Sequence, residues 1–374
     1  MEDTNINKPN MIFVTRTKLP PIHRYYKYLE KIWANNWVTN NGEFVLELEK
    51  KLPVYLGVSN LLLVTNATLA LQLAMKSIEP GGEVITTPFT FAASTNVILW
   101  ENLTPVFADI DPETLNIDPD DIERKITKKT KAILAVHVYG NPCDVTRIQK
   151  IARKHNLRVI YDAAHAFGVE YNGSSVLNYG DTSILSFHAT KVFNTIEGGA
   201  LITSNKSQFE KYKLMRNFGI VNEEKVTLPG INAKMNEFQA AMGLCNLRTV
   251  DRDIKARKKM YKLYVFKLEK IEGLKFQKLV TSKYNYSYMP VLFRNKKHRD
   301  LIYDKLRENK IHARKYFYPL TSSFDYFTTT QKKENKKSLP IALNTADRVL
   351  CLPLYAELTS DIVNEVVFII KENS

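Results

Sequence analysis

The stretch Thr182-Ser183-Ile184-Leu185-Ser186-Phe187-His188-Ala189-Thr190-Lys191 is an apolar run that ends in serine, histidine and lysine. A buried strand of an α/β sheet reads this way, with apolar residues inside the sheet and polar ones delivered past its carboxyl end. A second run, Arg158-Val159-Ile160-Tyr161, ends likewise in Asp162, 29 residues before Lys191. Further upstream, Leu61 to Val64 leads into the turn Thr65-Asn66-Ala67-Thr68.

Outward from these runs, short apolar stretches alternate with amphipathic ones from about Leu61 to Thr203. The alternation predicts strands at Leu61–Val64, Glu83–Thr86, Thr104–Ala108, Ala132–Val136, Arg158–Tyr161, Thr182–Phe187 and Gly199–Thr203. Between them it predicts helices at Ala67–Ser77, Ala92–Glu101, Ile122–Ile126 and Val145–His155, which together specify an α/β domain with a largely buried sheet. From Ile231 to about Glu269 the chain reads as helices. Beyond Leu274 the texture changes to a strand at Tyr284–Leu292, a helix at Leu301–Glu308, a further element at Ile311–Tyr318 and a final helix near Ile362–Ile370. The expected organisation is a disordered lead-in at 1–12, a large domain at 13–250 and a smaller α+β domain at 251–374. Gln331 to Ser338 is expected to be a solvated loop.

Several of the polar residues at the strand ends suggest chemistry. At a junction of strand and helix, the first N–H groups of the helix lack partners, so Ala67 and Thr68 can cradle a phosphate; an ordinary N-cap is the alternative reading. A buried carboxylate such as Asp162 is costly without a cation or a protonated ring nitrogen beside it. Cofactor partner, metal ligand with His165, and structural cap are its three readings, and no further ligands stand at metal spacing. Phe91, where a helix begins, is either a core aromatic or a ring that stacks on a flat heterocycle. Ser186 and His188 lie two apart on a strand, but no acid orients the histidine and there is no nucleophile elbow, which argues against a hydrolase. A lysine amine, a carboxylate and a phosphate cradle are the anchors needed by pyridoxal phosphate: one bonds its aldehyde, one keeps its pyridine nitrogen protonated and one takes its ester phosphate.

Seven segments, in order, strengthen this reading: Trp37-Val38-Thr39-Asn40-Asn41-Gly42, Asn66-Ala67-Thr68-Leu69-Ala70-Leu71, Pro88-Phe89-Thr90-Phe91, Asp162-Ala163-Ala164-His165-Ala166, Ser186-Phe187-His188-Ala189-Thr190-Lys191, Glu197-Gly198-Gly199-Ala200 and Gly230-Ile231-Asn232-Ala233-Lys234-Met235. In them the chain resembles the DegT/DnrJ/EryC1/StrS sugar aminotransferases, pyridoxal phosphate enzymes of the aspartate aminotransferase fold, fold type I. The resemblance implies that Lys191 is the Schiff-base lysine and Asp162 the partner of the pyridine nitrogen. Phe91 would stack on the ring, and Ala67, Thr68 and Ser186 would hold the phosphate. Ala67 stands where a glycine is common, and His165 where a glutamine often contacts the 3-hydroxyl. Asn232 would reach the phosphate of a neighbouring subunit, which implies a homodimer with shared active sites.

Within the family, Leu177 to Asp181, Val192 to Thr195 and Asn217 to Gly219 are most similar to the branch that aminates C4 of dTDP-4-keto-6-deoxyglucose for O-antigen or other surface glycans. The resemblance then implies L-glutamate as donor, 2-oxoglutarate as by-product and pyridoxamine phosphate between the two half-reactions. Candidate sugar contacts are His188, Asn194, Lys234 and Arg314. Amination at C3, UDP-linked sugars and a non-catalytic regulatory relative are the alternatives. Dehydratases on this fold resemble the chain with histidine in place of Lys191, and a regulatory relative is expected to lack Asp162 or Lys191.

Composition sets the remaining bounds. The 374 residues carry a formal net charge of +14, but the lysines are spread over helices without interleaved aromatics, so no nucleic-acid partner is expected. No apolar run approaches membrane-spanning length and the start has no signal pattern, which gives cytoplasmic residence as the expectation. Cys143, Cys245 and Cys351 are too few and too widely spaced for a disulfide framework or a metal cluster, and read as buried thiols.

Overall fold

The computed structural model describes residues 11–281 and 283–374. Seven strands form its central sheet: β1 (Leu61–Val64), β2 (Glu83–Thr86), β3 (Thr104–Phe107), β4 (Thr130–Val136), β5 (Arg158–Asp162), β6 (Thr182–Ser186) and β7 (Gly199–Ile202). Their order is β1-β7-β6-β5-β4-β2-β3. Only β7 runs antiparallel to its neighbours; the other pairings are parallel. Most of these strand residues are buried because both faces are covered. Ala132 and Leu134 of β4 enter one apolar cluster, whereas Ile133 and Ala135 enter another across the sheet, as the period-2 alternation of side chains requires.

Registration puts the chemically interesting ends side by side. Val136 pairs with Asp162, Asp162 with Ile184, and Gly199 with both Ser186 and Val64. Because β7 is reversed, its first residue lies at the same edge as the last residues of β1 and β6.

The first four helices are α1 (Ile22–Asn35), α2 (Glu43–Leu56), α3 (Ala67–Met75) and α4 (Ala92–Trp100), and the last two begin at that edge. The entry to α2 explains the Trp37–Gly42 segment. Asn40 and Asn41 take left-handed φ of 60° and 58°, a conformation asparagine tolerates better than most residues. The Glu237 carboxylate then accepts from the amides of Phe44 and Val45, at 2.9 Å each, satisfying the open helix end. A Cβ at position 42 would lie 2.5 Å from Glu237 Cδ, so glycine is needed there. Arg216 locks α2 to β1 by donating to Glu49 at 2.6 Å and to the Leu63 carbonyl at 2.8 Å.

The C-terminal part is a smaller α+β unit. Lys275–Phe276, Met289–Leu292 and Val349–Leu352 make an antiparallel sheet, accompanied by the helices Val250–Leu268, Lys296–Glu308 and Ser360–Glu372. Ile12–Phe13 pairs in parallel with Ile311–His312, tying the start of the described chain to this unit.

Several expectations need correction. Residues 1–10 of the expected lead-in lie outside the described residues, but Ile12 begins a paired strand. Gln331 to Ser338 is helical, within Thr329–Ser338, because Thr328 and Gln331 close a reciprocal capping box on an otherwise solvated segment. The helix expected at Ile122–Ile126 sits earlier, at Pro119–Arg124, started by the Asp118 cap and Pro119. In Tyr284–Leu292 only Met289–Leu292 is strand; upstream, Asn285 and Ser287 donate to the carbonyls of His165 and Phe167 instead of to a strand partner. Of Ile311–Tyr318 only Ile311–His312 is strand, after which the chain turns over the sheet edge: Tyr139 Oη donates to the Tyr316 carbonyl and the Thr321 amide donates to that of Pro88 at 3.1 Å. Among the described residues no helix is long and apolar enough to cross a membrane.

Candidate active site

A cavity of about 590 Å³ opens at the edge where β1, β5 and β6 end and β7 begins. Ala67, Thr68, Phe91, Asp162, His165, Ser186, His188, Lys191 and Arg314 all line it. These residues come from separate elements, and the registration of the sheet brings them together.

One wall is the start of α3. Asn66 caps the helix by accepting from the Leu69 amide at 2.9 Å, and the Ala70 amide returns to the Asn66 carbonyl. The amides of Ala67 and Thr68 come first in the helix and have no carbonyl four residues back. The turn is braced from below, where the Thr65 amide donates to the Ala233 carbonyl at 2.9 Å and Gln239 Nε2 to that of Thr65 at 3.3 Å. Gly199 passes so close that a Cβ there would sit 2.7 Å from the Ala67 nitrogen. Beside it, Ser186 Oγ accepts from the His188 amide at 3.4 Å, leaving its proton free to donate. Amides, a hydroxyl and a positive helix end make an anion cradle.

Asp162 ends β5 and is buried. Its Oδ1 accepts from the Ala164 amide at 3.0 Å and its Oδ2 from Ser94 Oγ at 2.7 Å. Burial raises its pKa above the ordinary carboxylate value, while the bonds from Ser94 and Ala164 and the charge of Lys191 oppose that rise. Lys191 projects from a turn in which its amide donates to the His188 carbonyl at 2.9 Å. Burial lowers its pKa from 10.5 to about 8, with Asp162 working against the shift and Arg314 with it. His165 is held well below its usual pKa by burial and, second, by Lys191, so its imidazole is neutral. Its Nδ1 is buried without a partner. The ring lies parallel to Phe317 at 6.0 Å and 4.8 Å from Tyr288.

The mouth is polar and aromatic. Phe91 is 54% exposed at the head of α4 and lines the cavity, where its ring face is open to stack on a flat ligand. His188 is exposed, its Nδ1 2.9 Å from Thr190 Oγ1 and its Nε2 3.5 Å from Glu197. The guanidinium of Arg314 lies 4.1 Å from the centroid of Tyr316. A phosphate cradle, a carboxylate, a lysine amine of depressed pKa and an exposed aromatic ring together fit a flat pyridine aldehyde that carries a phosphate.

Three expected residues lie outside the cavity. Asn194 is buried with its groups engaged inside the fold: Nδ2 donates to the Lys18 carbonyl at 3.2 Å and Oδ1 accepts from the Ile196 amide at 3.3 Å. It does not line this cavity. Lys234 donates to Asn217 at 2.8 Å and lies over Phe218 at 5.1 Å. Asn232 is exposed, bridging to Asn217 along the backbone.

Conversely, sequence reasoning missed Ser94, whose bond to Asp162 crosses 68 positions. Its only signal was closeness in sequence, since Ser94 stands in the first turn of the helix that Phe91 opens and Thr90 precedes. Thr90, Glu197, Tyr316 and Phe317 also line the cavity.

Residues 23–371 match the DegT/DnrJ/EryC1/StrS aminotransferase family. The chain is 45% identical over 368 residues to the dTDP-4-amino-4,6-dideoxy-D-glucose transaminase of Shigella dysenteriae, covering 96% of this chain and 98% of that one. Its identity to the Escherichia coli protein of the same name is also 45%, over 94% of this chain and 95% of the other. The crystal structure of DesI in the presence of its TDP-sugar product superposes with a TM-score of 0.91 at 32% identity, covering 97% of this chain and 93% of that one.

Proposed function

The chain belongs to the DegT/DnrJ/EryC1/StrS aminotransferase family, and from that premise we propose that it moves an amino group from L-glutamate to C4 of dTDP-4-keto-6-deoxy-D-glucose, giving dTDP-4-amino-4,6-dideoxy-D-glucose. It is a pyridoxal phosphate-dependent enzyme of deoxysugar biosynthesis. The observation that carries the reading is the opening of Lys191 and Asp162 into one cavity whose far wall is the start of α3. The 45% identity over almost the full length of two proteins named dTDP-4-amino-4,6-dideoxy-D-glucose transaminase supports the choice of sugar.

In this reading the amides of Ala67 and Thr68 and the Ser186 hydroxyl take the cofactor phosphate. Phe91 stacks on one face of the ring and His165 contacts its edge. When bound, pyridoxal phosphate supplies an aldehyde that receives the amino group and a ring that takes up the charge left at the substrate carbon. Asp162, ionised, keeps the ring nitrogen protonated so that the charge is accepted. Lys191 anchors the cofactor at rest, and its Nζ is the base that takes up the substrate proton and returns it; burial lowers its pKa from 10.5 to about 8, so the neutral amine is reached far more readily than in an exposed lysine. Arg314 and His188 at the mouth are placed in this proposal as contacts for the anionic substrates. Asn232, exposed and outside the cavity, is assigned to the site of a partner subunit, so the working unit is a homodimer.

The test is incubation of the protein with pyridoxal phosphate, L-glutamate and dTDP-4-keto-6-deoxyglucose, with mass spectrometry of the product and NMR to locate the amine. An equatorial amine at C4 is expected. Turnover only with a 3-keto isomer or with a UDP- or GDP-linked sugar reassigns the acceptor; absence of turnover with any of them overturns the catalytic reading.

A further inference from the structure

Ser94 sits one turn into α4, fully buried, on a helix that contributes nothing else polar to Asp162. Its Oγ donates to Asp162 Oδ2 at 2.7 Å and lies 2.9 Å from Thr90 Oγ1, itself buried. A hydroxyl has one proton. Since Ser94 spends its proton on the carboxylate, Thr90 must be the donor in the second bond. The two hydroxyls therefore form a one-way chain, Thr90 to Ser94 to Asp162, in which each bond polarises the next. With the Ala164 amide at Oδ1, every neutral neighbour bonded to Asp162 donates.

The charged and titratable groups around Asp162 do not supply this bias unaided. Lys191, beyond β6, has its own pKa lowered by burial, which weakens it as a fixed positive charge beside the carboxylate. His165, on the turn after β5, is neutral. Arg314, from the segment after Ile311–His312, lines the same cavity and lowers the Lys191 pKa.

We propose that Ser94, oriented by Thr90, is a positioning residue that decides where the proton shared by Asp162 and the cofactor's ring nitrogen resides. The inference rests on the reading that Asp162 faces that nitrogen. One proton lies between a carboxylate and a pyridine. Donors on the carboxylate lower its proton affinity, so the proton stays on nitrogen and the ring remains cationic. Without Ser94 the carboxylate becomes the better base, the proton moves to Oδ2 and the ring becomes neutral. No atom is gained or lost in this exchange.

The experiment reconstitutes wild-type, Ser94→Ala, Ser94→Thr and Thr90→Val proteins with pyridoxal phosphate labelled with ¹⁵N at the ring, and reads the ring nitrogen by NMR. The wild type and Ser94→Thr should give the shift of a protonated ring. Ser94→Ala should move toward the neutral-ring shift, with the proton partition changed by roughly tenfold to a hundredfold, and Thr90→Val should move the same way by less. A parallel titration compares pyridoxal phosphate with its 1-deaza analogue, in which carbon replaces the nitrogen. Ser94→Ala should weaken the first by about tenfold and leave the second unchanged.

Identical ring shifts in wild type and Ser94→Ala overturn the proposal, as does equal weakening of both ligands, which would mark Ser94 as a packing residue. A protonated ring in every variant together with normal cofactor binding refutes the role of Ser94 and leaves the aminotransferase reading standing. A wild-type protein that binds neither ligand refutes both.

Discussion

Replacing Lys191 by methionine in the cofactor-free protein should stabilise the fold near neutral pH, and the gain should fade as the pH rises. The folded protein holds this amine at a pKa of about 8, against an ordinary value of 10.5, chiefly because burial penalises the ammonium. Below pH 8 both folded and unfolded chains carry the proton, and the folded state bears the full cost of an enclosed charge. Between pH 8 and 10.5 the unfolded chain binds more protons than the folded one, so wild-type stability climbs with pH by up to about 1.4 kcal/mol per unit. Above 10.5 both amines are neutral and the climb stops. The interval corresponds to about 3 kcal/mol. Part of the side chain stays open to the cavity, and solvent screening there, together with the loss of a cation beside Asp162, brings the expected gain at pH 7 to about 2 kcal/mol. Methionine fills similar volume without charge. Urea unfolding of both proteins at matched pH values from 7 to 10.5 measures the difference, and titrations elsewhere in the chain cancel. A difference that does not change with pH, or a less stable variant at pH 7, would refute the reasoning. The fold tolerates a destabilising amine whose lowered pKa is what the proposed chemistry requires.

Other substitutions probe the rest of the site. Asp162→Asn should slow the first half-reaction by roughly a hundredfold, read as the change in cofactor absorbance after mixing with glutamate; a rate within tenfold of wild type removes Asp162 from its role. Gly199→Ala would put a Cβ 2.7 Å from the Ala67 nitrogen and should weaken cofactor binding by about tenfold, or about 1.4 kcal/mol, in a fluorescence titration; unchanged affinity would mean the cradle yields freely. Subunits carrying Lys191→Ala and Asn232→Ala, each inactive alone, should recover about a quarter of wild-type activity when mixed and allowed to exchange, because half the dimers are mixed and each holds one intact site; no recovery argues against shared sites. Phe89→Ala, which removes a fully buried ring packed edge-on against Tyr139 and Phe317, should cost about 3–5 kcal/mol in unfolding free energy.

How far the site was legible follows from how local each signal is. Asp162 and Lys191 each close a run whose apolar pattern is written in consecutive residues, so both could be placed from those runs. The strand Leu61–Val64 was legible for the same reason, and Asn66 marked the helix that follows. The first two helices went unanticipated because α1 is largely exposed and the start of α2 is capped by Glu237, almost two hundred positions away. Asn194 resembled a substrate contact in its motif, yet its amide groups are consumed by Lys18 and Ile196. The helix at Thr329–Ser338 was hidden by composition, since its lysines read as solvated loop until the Thr328 and Gln331 caps are seen to close.

The sequence by itself determined the class of sheet and the family, and it marked Lys191 and Asp162 as the candidate reactive pair, because each depends on residue types at short and fixed spacings. The tertiary structure alone decided which distant groups share a wall. The reversed direction of β7 brings Gly199 under the start of α3, the turn after Ile311–His312 carries Arg314 and Tyr316 over the cavity, and the packing of α4 on the sheet sets Ser94 against Asp162. These contacts span 68 to well over a hundred positions, and no local pattern encodes them, since they depend on how whole elements register and pack rather than on what any one of them contains.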